Sequence, residues 1–248
     1  MANRLLDRQV SLITYLTSGA AIFGDDDAPL ADPALQGFDP RLLRLEARFS
    51  HEKRMEKIAA VFPRTLDSLG TEQAQVVQAF AEGCPSVTIG RIENARQFHA
   101  FLSGVWRFRP PARPYLPDLA ACELAFAEVH NWVADASAGE TPKGGCAGAR
   151  PRTIRRHPGI ALQRCDHDVR PLFEADDIHS APVERETLLA FATPRDAADA
   201  RVFELDPAIF GLLCALNDWT ERSAFGATEE ANALIDELAS HGLVETCV

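Results

Sequence analysis

The densest group of metal-ligating and proton-transferring side chains in the sequence is Cys165-Asp166-His167-Asp168. Thiolate, imidazole and carboxylate are the donors that zinc and iron take. On a strand, alternation puts Cys165 and His167 on one face and the two aspartates on the other. A metal centre needs three or four converging donors, and no matching cluster stands elsewhere in the sequence. The preferred reading of the four residues is a polar hairpin turn between two strands. Nucleophilic and phosphate chemistry lack their signatures. There is no G-x-S-x-G, no G-x-x-x-x-G-K-[ST] and no G-x-G-x-x-G. Cys146, in the flexible run Gly144-Gly145-Cys146-Ala147-Gly148, is read as incidental. These signs favour a chain that is not an enzyme by itself, with no catalytic and no metal-binding residue of its own.

Two other groups suit binding. His51, Lys53, Arg54 and Lys57 form a basic run in which Arg54 and Lys57 share a helix face, as do Arg48 and His51. Arg48, His51, Arg54 and Lys57 are therefore the expected partner-docking residues, against the plainer reading of a solvated helix face. Glu123 and His130 lie two turns apart on a later helix and fit a satisfied polar network better than catalysis. Further on, Thr187 to Thr193 and Arg201 to Leu205 are expected edge strands. An edge offers unpaired backbone groups to which a peptide adds as a further strand. Thr187, Leu189, Phe191, Arg201, Phe203 and Leu205, with Leu234 and Leu238 from a neighbouring helix, are the expected peptide-binding residues.

The elements that must position these groups follow from periodicity and caps. Arg4 to Thr17 reads as a helix with Leu5, Leu6, Val10, Ile13 and Leu16 at helical spacing. Asp39-Pro40 caps and opens a second helix, ended before Pro63, with Leu42, Leu45, Phe49, Met55 and Ile58 as its buried stripe. Further helices are expected over 71–82, 92–105 and 118–133. Residues 136–156 lack an apolar period and read as a linker. Strands are then expected over 160–165 and 169–173, followed by the two candidate edges. Asp206-Pro207 opens a helix to Leu216, a short helix covers 221–225, and Thr228 opens the last. The expected class is α+β. Residues 1–135 form a helical partner-docking domain, 136–156 the linker, and 157–248 a small winged-helix-like peptide-recognition module with a short antiparallel sheet.

Charge separates the two halves. The net charge is −11, yet residues 160–248 hold 18 acidic residues against six arginines and no lysine. A duplex-binding face needs Lys and Arg to displace phosphate counterions. An acidic module disfavours nucleic acid and anionic membranes and suits a polypeptide partner. The six cysteines form no C-x-x-C pair and no disulfide framework, which points to a reducing cytoplasm. The charged N-terminus does not suit a signal peptide, and no stretch is apolar for the roughly 18 residues of a membrane span.

Three runs resemble a known family. Arg54-Met55-Glu56-Lys57-Ile58-Ala59-Ala60-Val61-Phe62-Pro63-Arg64-Thr65-Leu66 resembles the R-x-x-x-I-x-x-x-F-P core of HvfC-like proteins. Pro114-Tyr115-Leu116-Pro117-Asp118-Leu119-Ala120-Ala121-Cys122-Glu123 resembles their Y-L-x-D-L-A-x-x-E signature. His157-Pro158, followed by strands and final helices, resembles their C-terminal half. The family includes the MbnC- and TglI-like companions of MbnB/TglH-type iron enzymes, and the layout is closer to the TglI-like members. The resemblance implies a heteromeric, iron-dependent enzyme that modifies cysteine in a ribosomally made precursor peptide. The TIM-barrel partner subunit would hold two or three iron ions, and this chain would hold no cofactor. It would bind the leader peptide while the complex performs 3-thiaglutamate-type excision of the β-carbon of a C-terminal cysteine. The alternatives are an MbnC-like role in oxazolone and thioamide formation, or a DNA-binding transcriptional regulator. The family's DNA-binding label conflicts with the charge, which favours no nucleic-acid partner. A general adaptor that never touches substrate is a further possibility.

Overall fold

Four aspartate or threonine side chains start helices, and their positions set the frame. Asp39, Asp206 and Thr228 accept hydrogen bonds from the first-turn amides of Arg41, Ala208 and Ala231, and Asp32 does so for a short 3-10 turn. Each satisfies a donor that the helix leaves open. The computed structural model describes residues 2–25, 28–86, 90–138, 152–174, 181–193, 200–225 and 228–247. It is α+β and divides into two units, 1–114 and 115–248.

The first unit is helical: α1 (Ala2–Leu16), α2 (Gly19–Phe23), α3 (Pro40–Ala59), α4 (Pro63–Leu69), α5 (Gln73–Gly83) and α6 (Arg91–Phe108). Pro63 takes the first position of α4, where its missing N–H costs nothing. Phe62, Phe80 and Phe98 form the centre, with ring centroids 5.5 Å and 5.0 Å apart for Phe62–Phe98 and Phe80–Phe98. Burying each such ring stabilises the fold by about 2–3 kcal/mol. The expected buried stripe of α3 is corrected. Leu42 is 63% exposed and Phe49 49%, and Leu45 is exposed as well. Ile58 is buried as expected and Met55 is half-buried, while Arg44, Ala47 and Arg54 complete the inward face. The α1 residues Leu5, Leu6, Val10 and Ile13 also face outward.

The second unit begins with α7 (Leu116–Ala138), read from sequence as the last helix of the N-terminal domain. It continues through β1 (Thr153–Arg156), β2 (Ala161–Asp168), α8 (Pro171–Glu174), β3 (Val183–Ala192), β4 (Arg201–Glu204), α9 (Pro207–Ala215), β5 (Thr220–Glu221), α10 (Glu229–Ser240) and β6 (Val244–Cys247). Most of the expected linker, 139–151, lies outside the described residues. So does Cys146. Residues 153–156 of that stretch form a strand. Residues 169–173 are not the expected strand, because Pro171 opens the short α8.

The strands form two antiparallel sheets, ordered β5-β1-β6 and β2-β3-β4. One apolar core joins Ile154 and Val244 of the first sheet to Ala190 and Ala192 of the second, with Leu213, Ile235 and Leu238 from α9 and α10. The opposite face of β2 and β3 packs on α7. The turn from α10 into β6 depends on Gly242, whose φ of 75° favours glycine. It lets the amides of Gly242 and Leu243 donate to Ala239 O and Leu238 O, closing a Schellman motif.

Candidate functional site

Helix α3 carries the expected docking residues, and the structure separates their roles. Arg48 is fastened internally: its Nε donates to Ile22 O and its Nη2 to Gly24 O, each at 3.1 Å, holding the end of α2. Arg54, expected on the docking face, is 7% exposed and held internally. Its guanidinium donates to Asn94 Oδ1 at 3.0 Å, Cys84 O at 2.8 Å and Gln97 Oε1 at 2.7 Å. Its flat face lies 4.2 Å from the Phe80 ring centroid. Arg54 thus ties α3, α5 and α6 together, because a planar five-donor fork fits three fixed acceptors.

His51, Arg54 and Lys57 meet, with Lys53, at a cavity of about 690 Å³ within the first unit. Its apolar wall is Ile13, Leu16, Ile22 and Ala47, and Ser50, Ser86 and Asn94 add polar groups. No acidic side chain stands among the described residues that line it. The His51 ring packs edge-on against Phe23 at 5.5 Å, and its Nδ1 is buried with no hydrogen-bond partner among the described residues. Burial, reinforced by the Arg54 charge, holds the His51 pKa below its usual value, so the ring is neutral at pH 7. The pocket is an electropositive recess with one apolar wall. Sequence reasoning found the cations. It missed Ser50, Ser86 and Asn94, which carry no local signature and come together only through helix packing.

In the second unit the expected peptide-binding residues fall into three groups. β3 is the central strand of its sheet, not an edge, since it pairs with β2 on one side and β4 on the other. Thr187 lies opposite Cys165, which faces α7, so alternation turns Thr187, Leu189 and Phe191 to the same covered side. All three are buried and closed to a peptide. Leu238 belongs to the core, and Leu234, Phe203 and Leu205 pack against it half-buried. Only β4 matches the edge expectation: Arg201 is exposed, and no described strand pairs on the far side of β4. Leu205 N donates to Leu188 O at 2.8 Å. The antiparallel alternation then directs the N–H and C=O groups of Arg201 and Phe203 toward β3 and those of Val202 and Glu204 outward.

The Cys165–Asp168 run is not a hairpin turn. It completes β2, with a register irregularity between Cys165 and His167. Both residues nevertheless reach α7. Cys165 Sγ lies 3.5 Å from Cys122 Sγ, and Asp118 Oδ2 contacts His167 Nδ1 at 2.8 Å while accepting from His167 N at 3.0 Å. The shared thiol hydrogen bond and burial push the Cys122 pKa far up, so it stays protonated. Among the described residues no group of three or more His, Cys, Asp or Glu is arranged to hold a metal. Asp168 joins a ring of charges. Arg170 pairs with it at 2.7 Å and with Glu204 at 2.6 Å, while Arg185 pairs with Asp168 at 2.6 Å and Glu204 at 2.7 Å. The ring staples β2, β3 and β4 across one end of the sheet. Glu123 is buried on α7, whereas His130 is exposed.

The two family-like motifs prove to be fold-building. Arg54, Ile58, Phe62 and Pro63 organise the helical unit, and Tyr115, Leu116, Asp118, Leu119 and Glu123 seat α7 in the second. No helix among the described residues is long and apolar enough to cross a membrane. A family model described as SCO6045-like, C-terminal domain, matches residues 27–104, less than a third of the chain and confined to the helical unit. No curated protein matches the chain.

Proposed function

We propose that this chain is the substrate-recognition and activating subunit of a heteromeric iron-dependent enzyme that modifies cysteine in a ribosomally made precursor peptide. The reaction class is the 3-thiaglutamate type implied by the family resemblance. The observation that carries this reading is the outer edge of β4, which no described strand covers, in an acidic unit. The outward groups of Val202 and Glu204 offer a leader peptide a strand to pair with, and the surrounding charge suits a cationic leader. Pairing there holds the reactive cysteine near a metal centre in the partner, so the contribution is proximity rather than chemistry.

Docking of the barrel subunit falls to the helical unit. Arg48 and Arg54 are committed internally, so the contact shifts to the exposed apolar residues Leu42, Leu45 and Phe49 of α3. Apolar side chains left open on a folded surface mark interaction sites when they cluster. The two or three iron ions belong to the partner. The test is co-expression with a multinuclear-iron barrel subunit from the same genome, followed by copurification and iron analysis. A stable heterodimer with iron, able to bind the leader, supports the proposal. Two chains that never copurify contradict it.

A further inference from the structure

We propose that the recess beside α3 in the helical unit is a binding site for a small organic monocarboxylate, an anionic head carried on an apolar chain. The inference stands apart from peptide recognition by the second unit. Its first support is the environment of Arg54. The guanidinium is buried, and every hydrogen-bond partner it has is neutral: an asparagine, a glutamine and a backbone carbonyl. A buried charge without a counter-charge is costly, and burial pulls the Arg54 pKa down from its usual value. A single negative charge entering the recess supplies what the fold leaves out.

The second support is the shape and polarity of the lining. About 690 Å³ lies within the range of small-molecule pockets, roughly 300–1,000 Å³. Ile13, Leu16, Ile22 and Ala47 form one continuous class of surface for an apolar chain. Lys53, exposed at the same recess, and Lys57 beside it add further positive charge. With no acidic side chain among the described lining residues, the field has one sign and draws anions in. His51 presents a buried, unpartnered Nδ1 among the lining residues. Arg54 is the one buried cation there, which a single carboxylate head group matches, and the apolar wall suits an organic chain better than a fully hydrated inorganic ion.

The probe is sodium decanoate titrated into the full-length chain, followed by calorimetry and by amide and imidazole NMR shifts, with decanol and decyltrimethylammonium as comparators. The expected result is one-to-one decanoate binding, with shifts at His51, Asn94 and Ile13. Decanol should bind at least about tenfold more weakly, and the ammonium compound not at all. Lys53→Glu, at an exposed position, should keep the wild-type circular dichroism and weaken decanoate binding about five- to tenfold. Four outcomes overturn the proposal. Decanol could match decanoate, showing an apolar groove without charge selection. Shifts could map to other residues, or decanoate could fail to bind. A folded Lys53→Glu chain with unchanged affinity also refutes the assigned head-group site.

Discussion

Arg54 lies in the basic run that suggests a docking face, yet its side chain is the internal tie of three helices. The sequence displays the cation but not Asn94 and Gln97, which reach it from about forty residues further along the chain. For the same reason Leu42, Leu45 and Phe49 read as core although they face outward: α3 turns its arginine face inward because α6 supplies polar acceptors. Arg54→Ala should destabilise the helical unit by about 3 kcal/mol, because buried acceptors lose their donor and Phe80 loses its cation. Urea unfolding measures this. Arg54→Lys should recover only part, since an ammonium cannot span three in-plane acceptors. A second residue-level expectation concerns thiols. Cys122 is held protonated by its neighbour Cys165 and by burial, whereas Cys214 is exposed. Brief iodoacetamide treatment of the folded chain should alkylate Cys214 and spare Cys122 and Cys165, with denaturant exposing both. Equal labelling of the three in the folded state would show that α7 does not seal β2.

Among the elements, capped helices were the most legible. Asp39-Pro40, Asp206-Pro207 and Thr228 each start a helix where the local sequence says they should, because a cap is decided within a few residues. Strand positions depended on distant partners. β1 pairs with β6 across some ninety residues, and its Arg155-Arg156 looked like linker charge until Glu245 faced Arg155 at 2.7 Å. β3 looked like an edge because its alternation is visible while the strand that covers its far side is not. The charge ring at the sheet end sets a pH expectation. Arg170 and then Arg185 hold Asp168 well below the usual carboxylate range, and Arg185 likewise lowers Glu204. A lowered folded-state pKa gives stability that is present above the unfolded value, about 4, and is lost as pH falls through the folded value. The urea midpoint of the second unit should therefore drop as pH is lowered from 5 toward 3 (approximate bounds set by that range). Arg185→Gln should flatten the drop, and an unchanged slope would remove the ring from the account. The β4 edge sets another. The Val202 N–H points away from β3, so Val202→Pro should leave the sheet paired while weakening leader binding by about tenfold or more. Calorimetry with the leader peptide reads the loss, and unchanged affinity would place the peptide elsewhere.

For the molecule as a whole, composition already separated a near-neutral first part from an acidic remainder, and the α+β class followed from helical periodicity giving way to alternation. The exact divide did not. Helix α7 has the composition of the helical half, yet it belongs to the second unit because Asp118, Cys122 and Leu119 are spent against β2 and the surrounding core. Under the proposed function, the charge that disfavours duplex DNA suits a cationic leader, and the chemistry falls to the partner. The measurement that bears most directly on this division of labour is mass spectrometry of the precursor peptide after incubation with the iron barrel alone, this chain alone, and both together. The account predicts conversion of the C-terminal cysteine only when both chains are present. Conversion at an undiminished rate by the barrel alone, or any conversion by this chain alone, would contradict it.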